Sequence, residues 1–119
     1  MGAVKIKLTN ATTGRELASD VETAVGLAAR TAGLLGRGEL PVGRALWILR
    51  CNSVHTWFMR FAIDVVFVDG SLVATKVVSN LVPWRVTAPS LRSRSVFELP
   101  AGTLLLHPVA PGDQLHVGD

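Results

Sequence analysis

Two apolar runs on either side of an Asp69-Gly70 turn constrain the fold of this chain more than any other feature. The first run is 64–68 and the second is 72–78, and both are rich in the β-branched residues typical of strands. Asp-Gly between two such runs is a strong signal for a β-hairpin, because both residues tolerate positive φ. We therefore expect antiparallel pairing at this point of the chain.

Further strand-like runs lie on both sides of the hairpin, at 4–8, 17–22, 44–49, 95–99 and 114–117. Residues 83–94 lack a clear period and are predicted to form a long surface loop. Residues 23–35 are rich in Ala and Leu, with apolar side chains at helical spacing, a Thr23 N-cap and a glycine at 36. These patterns predict an α+β fold: a mostly antiparallel β-sheet or small barrel of about six strands, with one main α-helix near the N-terminus.

Composition narrows the class of protein. The chain has 119 residues, 49% of them apolar and 18% charged, which predicts a single folded domain over 1–119 and excludes a disordered chain. One cysteine excludes a disulfide framework and a Cys₄ or Cys₂His₂ zinc site. The chain has no apolar run long enough for a membrane span and does not begin like a secretory signal, so the sequence predicts a cytoplasmic protein. The alternative is the mature form of an extracytoplasmic protein, whose sequence would look the same.

The stretch 55–64 interleaves large apolar side chains with polar ones, which is typical of a ligand-pocket wall. The candidate ligand-binding residues are His55, Trp57, Met59, Arg60 and Asp64. Arg60 would select a carboxylate or another anion. The alternative is an ordinary core in which Arg60 and Asp64 neutralise one another. The leading hypothesis is a non-enzymatic binding module for a small anionic ligand or a protein or peptide partner.

A basic stretch suggests a second binding function. No acidic residue lies between Gly70 and Phe97, while the candidate anion-binding residues Lys76, Arg85, Arg92 and Arg94 all fall there. Trp84 beside Arg85 would suit stacking on a nucleic-acid base. The alternative is a solvated loop whose arginines keep the protein soluble. Because the net charge is only +3, we expect nucleic acid to be an unlikely partner.

An enzymatic alternative depends on Cys51 or His55 in a hydrolase-like reaction, with Asp64 as a possible orienting carboxylate. A lone cysteine after a buried strand is more often inert core, so we expect no catalytic residue. The residues that could ligate a metal are His55, His107, His116, Asp64 and Asp113. They lack the spacing of a known metal motif, so neither a metal nor a cofactor is expected.

The stretch after His55 resembles the domain-of-unknown-function 192 family of small prokaryotic proteins. The family's central signature is matched by Trp57-Phe58-Met59-Arg60, a spacer, and Asp64-Val65-Val66-Phe67-Val68-Asp69. Three further elements are similar in order: 32–37, Phe97-Glu98-Leu99-Pro100-Ala101-Gly102 and Gly112-Asp113. The resemblance covers about 17–117 and departs at Ala62, where the family often has proline. It implies a compact β-rich fold and no particular reaction, cofactor or substrate.

Overall fold

The computed structural model describes residues 5–25 and 39–118. These residues form eight strands and one short helix. The strands are β1 (Lys7–Asn10), β2 (Arg15–Ala18), β3 (Asp20–Val25), β4 (Arg44–Leu49), β5 (Ile63–Val68), β6 (Ala74–Leu81), β7 (Ser95–Pro100) and β8 (Leu115–Gly118), and the helix is α1 (Thr103–Leu106).

The strands make two sheets. A three-stranded antiparallel sheet has the order β2-β1-β8, and a five-stranded sheet has the order β3-β4-β7-β5-β6. Within the described residues, β3 pairs with β4 in parallel, whereas the other strand pairs are antiparallel. The expected dominance of antiparallel pairing is therefore confirmed.

Strand β5 lies inside the larger sheet, and all six of its residues are buried. Val66 and Val68 face a core shared with the three-stranded sheet, while Val65 and Phe67 face a second core on the opposite side. Because both faces of the strand are covered, its residues 65–68 form a continuous apolar run rather than an alternating one. The larger sheet is thus the middle layer of the molecule.

The hairpin predicted around Asp69-Gly70 is confirmed, since β5 and β6 pair antiparallel on either side of it. Its turn is longer than two residues. Oδ1 of Asp69 accepts hydrogen bonds from the backbone N–H groups of Ser71, at 2.8 Å, and Val73, at 3.0 Å. Leu72, with φ 62°, takes the left-handed conformation that was expected of the Asp-Gly pair. The aspartate therefore supplies side-chain hydrogen bonds to the turn.

The predicted α+β class is wrong. The described chain is mostly β, in two open sheets with no closed barrel, and its helix Thr103–Leu106 lies near the C-terminus. The predicted helix was to begin at Thr23, but Thr23 lies in β3, which pairs with β4 along its whole length. The remainder of that predicted helix, 26–35, lies outside the described residues. Over 23–25, parallel pairing with β4 takes the place of the predicted start of the helix.

The second core is closed by the segment that follows β4. Its sheet side is formed by Leu46, Ile48, Ile63, Val65, Phe67 and Val96, and Val54 and Met59 pack onto it from the connecting segment. That segment is consequently held against the sheet by its own apolar side chains. Its exposed side chains, which include Trp57, Phe58 and Arg60, lie at the surface where the candidate site is found.

Candidate functional site

Two connecting segments lie side by side at one edge of the molecule. We call them the paired loops: residues 50–62, between β4 and β5, and residues 82–94, between β6 and β7. They run antiparallel. The N–H of Thr56 donates to the carbonyl of Arg85 at 2.8 Å, that of Ser90 to Asn52 at 2.8 Å, and that of Cys51 to Arg94 at 3.1 Å. The loop predicted for 83–94 is therefore present, and it is held in place by backbone hydrogen bonds along its length.

Thr56 joins the two loops and is fully buried. Its hydroxyl donates to the carbonyl of Val82 at 2.6 Å and accepts from the N–H of Arg85 at 2.9 Å. Its own carbonyl accepts from the N–H of Trp84 at 3.0 Å and from that of Met59 at 3.2 Å. One threonine thus fixes the backbone that carries the aromatic side chains of both loops.

Three aromatic rings lie exposed at this end of the paired loops. We call them the aromatic surface: Trp57 is 47% exposed, Phe58 67% and Trp84 58%. Phe58 and Trp84 meet edge to face at 4.8 Å between ring centroids, and Trp57 lies 5.0 Å from the His55 ring. The N–H of Trp84 donates to the carbonyl of the buried Thr56 while the Trp84 ring is exposed. Such a patch of large apolar side chains is typical of an interaction site.

The backbone here is unusual as well. Phe58 has φ 65° and Trp84 has φ 66°, in the left-handed region that side chains other than glycine rarely adopt. Residues held in that region cost about 1–3 kcal/mol each and concentrate at binding sites. The two rings that touch across the loops are therefore the two whose backbones are strained.

The stretch 55–64 does not form the extended strand on which the candidate ligand-binding residues would alternate. A turn at Trp57 and Phe58 interrupts it. His55 and Trp57 are in ring contact, and Arg60 is exposed, whereas Met59 is 4% exposed and packs in the second core. The structure therefore brings His55, Trp57 and Arg60 to the surface and directs Met59 inward.

Asp64 is separated from that group, on strand β5, and is 1% exposed. Its Oδ1 accepts from the N–H of Asn80 and its Oδ2 from the N–H of Leu104, each at 2.8 Å. The side chain also borders a cavity of about 380 Å³ with Leu105 and others. Within the described residues Arg60 has no carboxylate at ion-pair distance, so Arg60 and Asp64 do not neutralise one another. Asp64 instead binds two backbone segments.

The four predicted anion-binding residues do not form one cluster. Lys76 donates to the carbonyl of Ala88 at 3.3 Å and lies over the Phe67 ring, so it fastens the second loop to β6. Arg85 is exposed beside Trp84 at the aromatic surface, and its guanidinium lies 3.4 Å from the Trp84 carbonyl oxygen. Arg92 and Arg94 are exposed and border a cavity of about 600 Å³ next to the hairpin turn.

Cys51 and His55 border the same cavity, of about 230 Å³. The thiol of Cys51 donates to the carbonyl of Ser53 at 2.9 Å. Both oxygens of Asp64 accept from backbone amides, so the carboxylate expected to orient a catalytic histidine has structural partners. Of the three residues, Cys51 and His55 share a cavity, whereas the carboxylate of Asp64 is engaged by the backbone.

The other candidate metal ligands are dispersed. Asp113 accepts from the side chain of Asn10 at 2.9 Å, and His107 follows α1. Within 5–25 and 39–118, no three side chains of His, Cys, Asp or Glu group closely enough to hold a metal ion. No helix in the described part of the chain is long and apolar enough to cross a membrane.

Sequence reasoning missed Thr56, Phe58 and Arg50. Thr56 carries no motif, because its partners lie about thirty positions away in the chain. Phe58 lies at a turn that the interleaved pattern of 55–64 does not indicate. Arg50, exposed with φ 54°, directly follows the apolar residues 45–49 of β4, and that abrupt change from apolar to charged was the available signal.

Comparison with known proteins identifies the family. The sequence profile of the family described as "Uncharacterized ACR, COG1430", domain of unknown function 192, matches residues 8–117. The chain belongs to this family. A UPF0127 protein of Pyrococcus furiosus is 33% identical over 111 residues, covering 89% of this chain and 93% of that one. The family assignment made from the central motif is confirmed.

Two solved structures are similar to this domain-of-unknown-function 192 protein. One, from Sinorhizobium meliloti 1021, is provisionally named as a transcription regulator; it is 25% identical with a TM-score of 0.76 and covers 98% of each chain. The other, a protein of unknown function from Novosphingobium aromaticivorans DSM 12444, is 24% identical with a TM-score of 0.76 and covers 93% of this chain and 82% of its own. The similarity to the Novosphingobium protein shows a shared fold.

Proposed function

We propose that this protein is a non-enzymatic binding module that uses the aromatic surface, with Arg60 and Arg85 beside it, to hold an anionic ligand carrying a planar group. The observation that carries the proposal is the exposure of three rings on a backbone that is fixed by buried hydrogen bonds. A surface already held in place loses little conformational entropy when it binds.

The chemistry of the neighbouring side chains supports an anion. Arg60 and Arg85 are exposed, and the ion pairs found among the described residues involve Lys7 and Arg44 instead. A guanidinium free of an internal carboxylate presents its donors to a carboxylate or phosphate. The flat faces of Trp57 and Trp84 suit a planar group. The provisional name of the Sinorhizobium relative, a regulator rather than an enzyme, agrees with binding.

The experiment follows the three tryptophan indole N–H signals by NMR during titration with phenyl phosphate or benzoate. Trp57 and Trp84 are exposed, whereas Trp47 is half-buried, stacks on Phe97 and donates to the Ser95 hydroxyl at 2.9 Å. We expect the Trp57 and Trp84 signals to shift and the Trp47 signal to stay, which makes Trp47 the internal reference. A titration to about 1 mM ligand detects affinities typical of a small fragment.

Arg60→Gln is the decisive variant, and Arg15→Gln is its control. Arg15 is an exposed arginine on β2, so its replacement removes the same charge from the other sheet. We expect Arg60→Gln to weaken binding about tenfold, because a hydrogen bond to a charged group contributes about 1.5 kcal/mol. If no indole signal moves, or if the two variants bind equally, the proposed site is wrong.

A further inference from the structure

We propose that the ligand of the paired loops is a single strand of nucleic acid, with its bases stacked on the aromatic surface and its phosphates along a row of arginines that ends at Arg92 and Arg94. This proposal rests on the proposed function, because the aromatic surface supplies the stacking. It adds a second region, the cavities at the far end of the loops, and a class of ligand. It reverses the expectation, drawn from the net charge of +3, that nucleic acid is an unlikely partner, because the exposed Arg50, Arg92 and Arg94 border neighbouring cavities.

The first support is a row of three neighbouring cavities, which we call the path. A cavity of about 230 Å³ begins at His55 and Val86 and reaches Arg50 and Cys51. The next cavity, of about 340 Å³, shares Arg50 and Cys51 and extends to Arg94. The largest, of about 600 Å³, shares Arg94 and includes Arg92. Each cavity shares at least one lining residue with the next, and the first is bordered by His55, whose ring centroid lies 5.0 Å from that of Trp57. Neighbouring cavities therefore lead from the edge of the aromatic surface toward the hairpin turn.

The second support is the charge along this path. Arg50, Arg92 and Arg94 border it and are exposed, and none takes part in the ion pairs found among the described residues. The acidic residue that borders the same cavities is Asp69, whose Oδ1 accepts from two turn amides. Several arginines lie along this path, and the carboxylate of Asp69 is hydrogen-bonded to the hairpin turn. Such a row of positive charges suits a polyanionic ligand better than a ligand with a single carboxylate.

The third support is length. The backbone pairing runs from Cys51 to Thr56, so five strand-like steps separate the arginine end from the aromatic end, at most about 17 Å. A nucleic-acid strand with stacked bases carries one phosphate per 3.4 Å or so, and about five phosphates would fit this distance. A small monoanion would occupy one end of the path and leave the other unused.

The exposed rings favour a single strand over a duplex or an acidic peptide. Bases in a duplex stack on one another, whereas the bases of a single strand are free to stack on Trp57, Phe58 and Trp84. An acidic peptide would engage the arginines without using the rings. Positive φ occurs at Arg50, which borders the path, and at Phe58 and Trp84 on the aromatic surface, and such strained backbone concentrates at binding sites.

The test measures fluorescence anisotropy of a fluorescein-labelled oligothymidylate of about twelve nucleotides with the full chain at low salt. The first pair of substitutions is the test variant, which combines Arg92→Ala and Arg94→Ala. The second pair is the control variant, which combines Lys5→Ala and Arg15→Ala and removes two exposed charges elsewhere. We expect the first pair to lower the slope of log affinity against log salt by about 1.4, at about 0.7 for each phosphate contact in a single strand. The second pair should leave that slope unchanged.

A ring variant tests stacking separately from charge. We expect Trp84→Ala to weaken binding about tenfold at constant salt slope, and Trp84→Phe to restore most of the affinity because it retains a ring. The Trp47 indole signal reports in each case that the protein is folded. Equal binding by an oligonucleotide of abasic spacers, by a duplex or by polyglutamate would overturn the proposal, because none of these offers free bases.

Failure of this inference can be distinguished from failure of the proposed function. If phenyl phosphate shifts the Trp57 and Trp84 signals but the oligonucleotide does not bind at low salt, the aromatic surface binds small anions and the nucleic-acid proposal is wrong. If neither ligand acts on those signals, both proposals are wrong.

Discussion

At the scale of single residues, Thr56 has the greatest influence on the candidate site. It is fully buried, and its hydroxyl is both a donor, to Val82, and an acceptor, from Arg85. Both partners of the hydroxyl are backbone groups of the second loop, so Thr56 fixes the two loops relative to each other. The rings of the aromatic surface depend on it without touching its side chain.

We predict that Thr56→Val lowers the free energy of unfolding by about 1–3 kcal/mol. Valine has nearly the same shape, but it leaves the carbonyl of Val82 and the N–H of Arg85 without their partner in a buried place. Urea denaturation measures the change. Thr23→Val, on the exposed side of β3, is the control and should stay within about 0.5 kcal/mol. Equal effects of the two variants would contradict the role of Thr56.

At the scale of elements, Asp64 joins three pieces of secondary structure. It lies on β5, and its two oxygens accept backbone hydrogen bonds from Asn80 on β6 and from Leu104 in α1. Asn80 has φ 53°, a left-handed residue inside a strand, and the register of β5 and β6 shifts in the same region. The aspartate of the family signature is therefore a structural residue that compensates for an irregular strand.

We predict that Asp64→Asn destabilises the protein by about 2 kcal/mol, since the amide directs its NH₂ group at one of the two backbone donors. Asp69→Asn is the control, because it makes the same chemical change at another aspartate that accepts two backbone hydrogen bonds. Both hydrogen bonds of Asp69 go to one oxygen, which the amide keeps, so the cost should stay below about 1 kcal/mol. Thermal and urea unfolding of the pair measure the difference, and a smaller loss for Asp64→Asn than for Asp69→Asn would refute this account.

At the scale of the whole molecule, a hydrogen bond between Asn10 and Asp113 joins the two ends of the chain. Asn10 is fully buried, and its Nδ2 donates to Oδ2 of Asp113 at 2.9 Å across 103 positions of sequence. The N–H of Ala110 donates to the same oxygen at 2.9 Å. The backbone hydrogen bond from Ala110, followed by that from Asn10, lowers the pKa of Asp113 below its ordinary value of 3.8, against a smaller opposing effect of burial.

This shift predicts how stability depends on pH. Because the carboxylate has a lower pKa when the protein is folded, it stabilises the fold above pH 3.8, and that contribution is lost as the pH falls through the lowered value. We expect Asp113→Asn to be less stable than the natural protein at about pH 6 and the difference to shrink at about pH 3. Urea denaturation at both pH values measures it, with Glu39→Gln, at an exposed position, as the control. A difference that grows on acidification would show the opposite sign and refute the prediction.

Also at this scale, much of the sheet could be predicted because its signals are local. The apolar run 44–49 coincides with β4, and the runs around Asp69-Gly70 form the β5–β6 hairpin. Strand β5 is buried on both faces, so side-chain hydrophobicity alone identified it. Hydrophobic periodicity and the residue preferences of turns depend on a few neighbouring residues, so they predict these elements from the sequence alone.

Local patterns failed where a distant partner decided the conformation. Thr23 has acceptable N-cap chemistry for a helix, yet it lies in β3, because β4 offers a complete row of parallel hydrogen bonds. In the candidate site, alternation along 55–64 predicted that Met59 would share a surface with Trp57. The turn at Trp57 and Phe58, fixed by Thr56 and the second loop, directs Met59 into the core instead.

The sequence by itself therefore determined the family, the apolar strands and the hairpin, and it identified the surface segment that carries Trp57 and Arg60. Only the tertiary structure decided that Trp84 meets Phe58, that Asp64 binds backbone rather than Arg60, and that the arginines separate into two groups. The physical reason is the range of the interactions. Strand formation depends on neighbouring side chains, whereas the site depends on hydrogen bonds and ring contacts between segments about thirty residues apart, which leave no periodic trace in the chain.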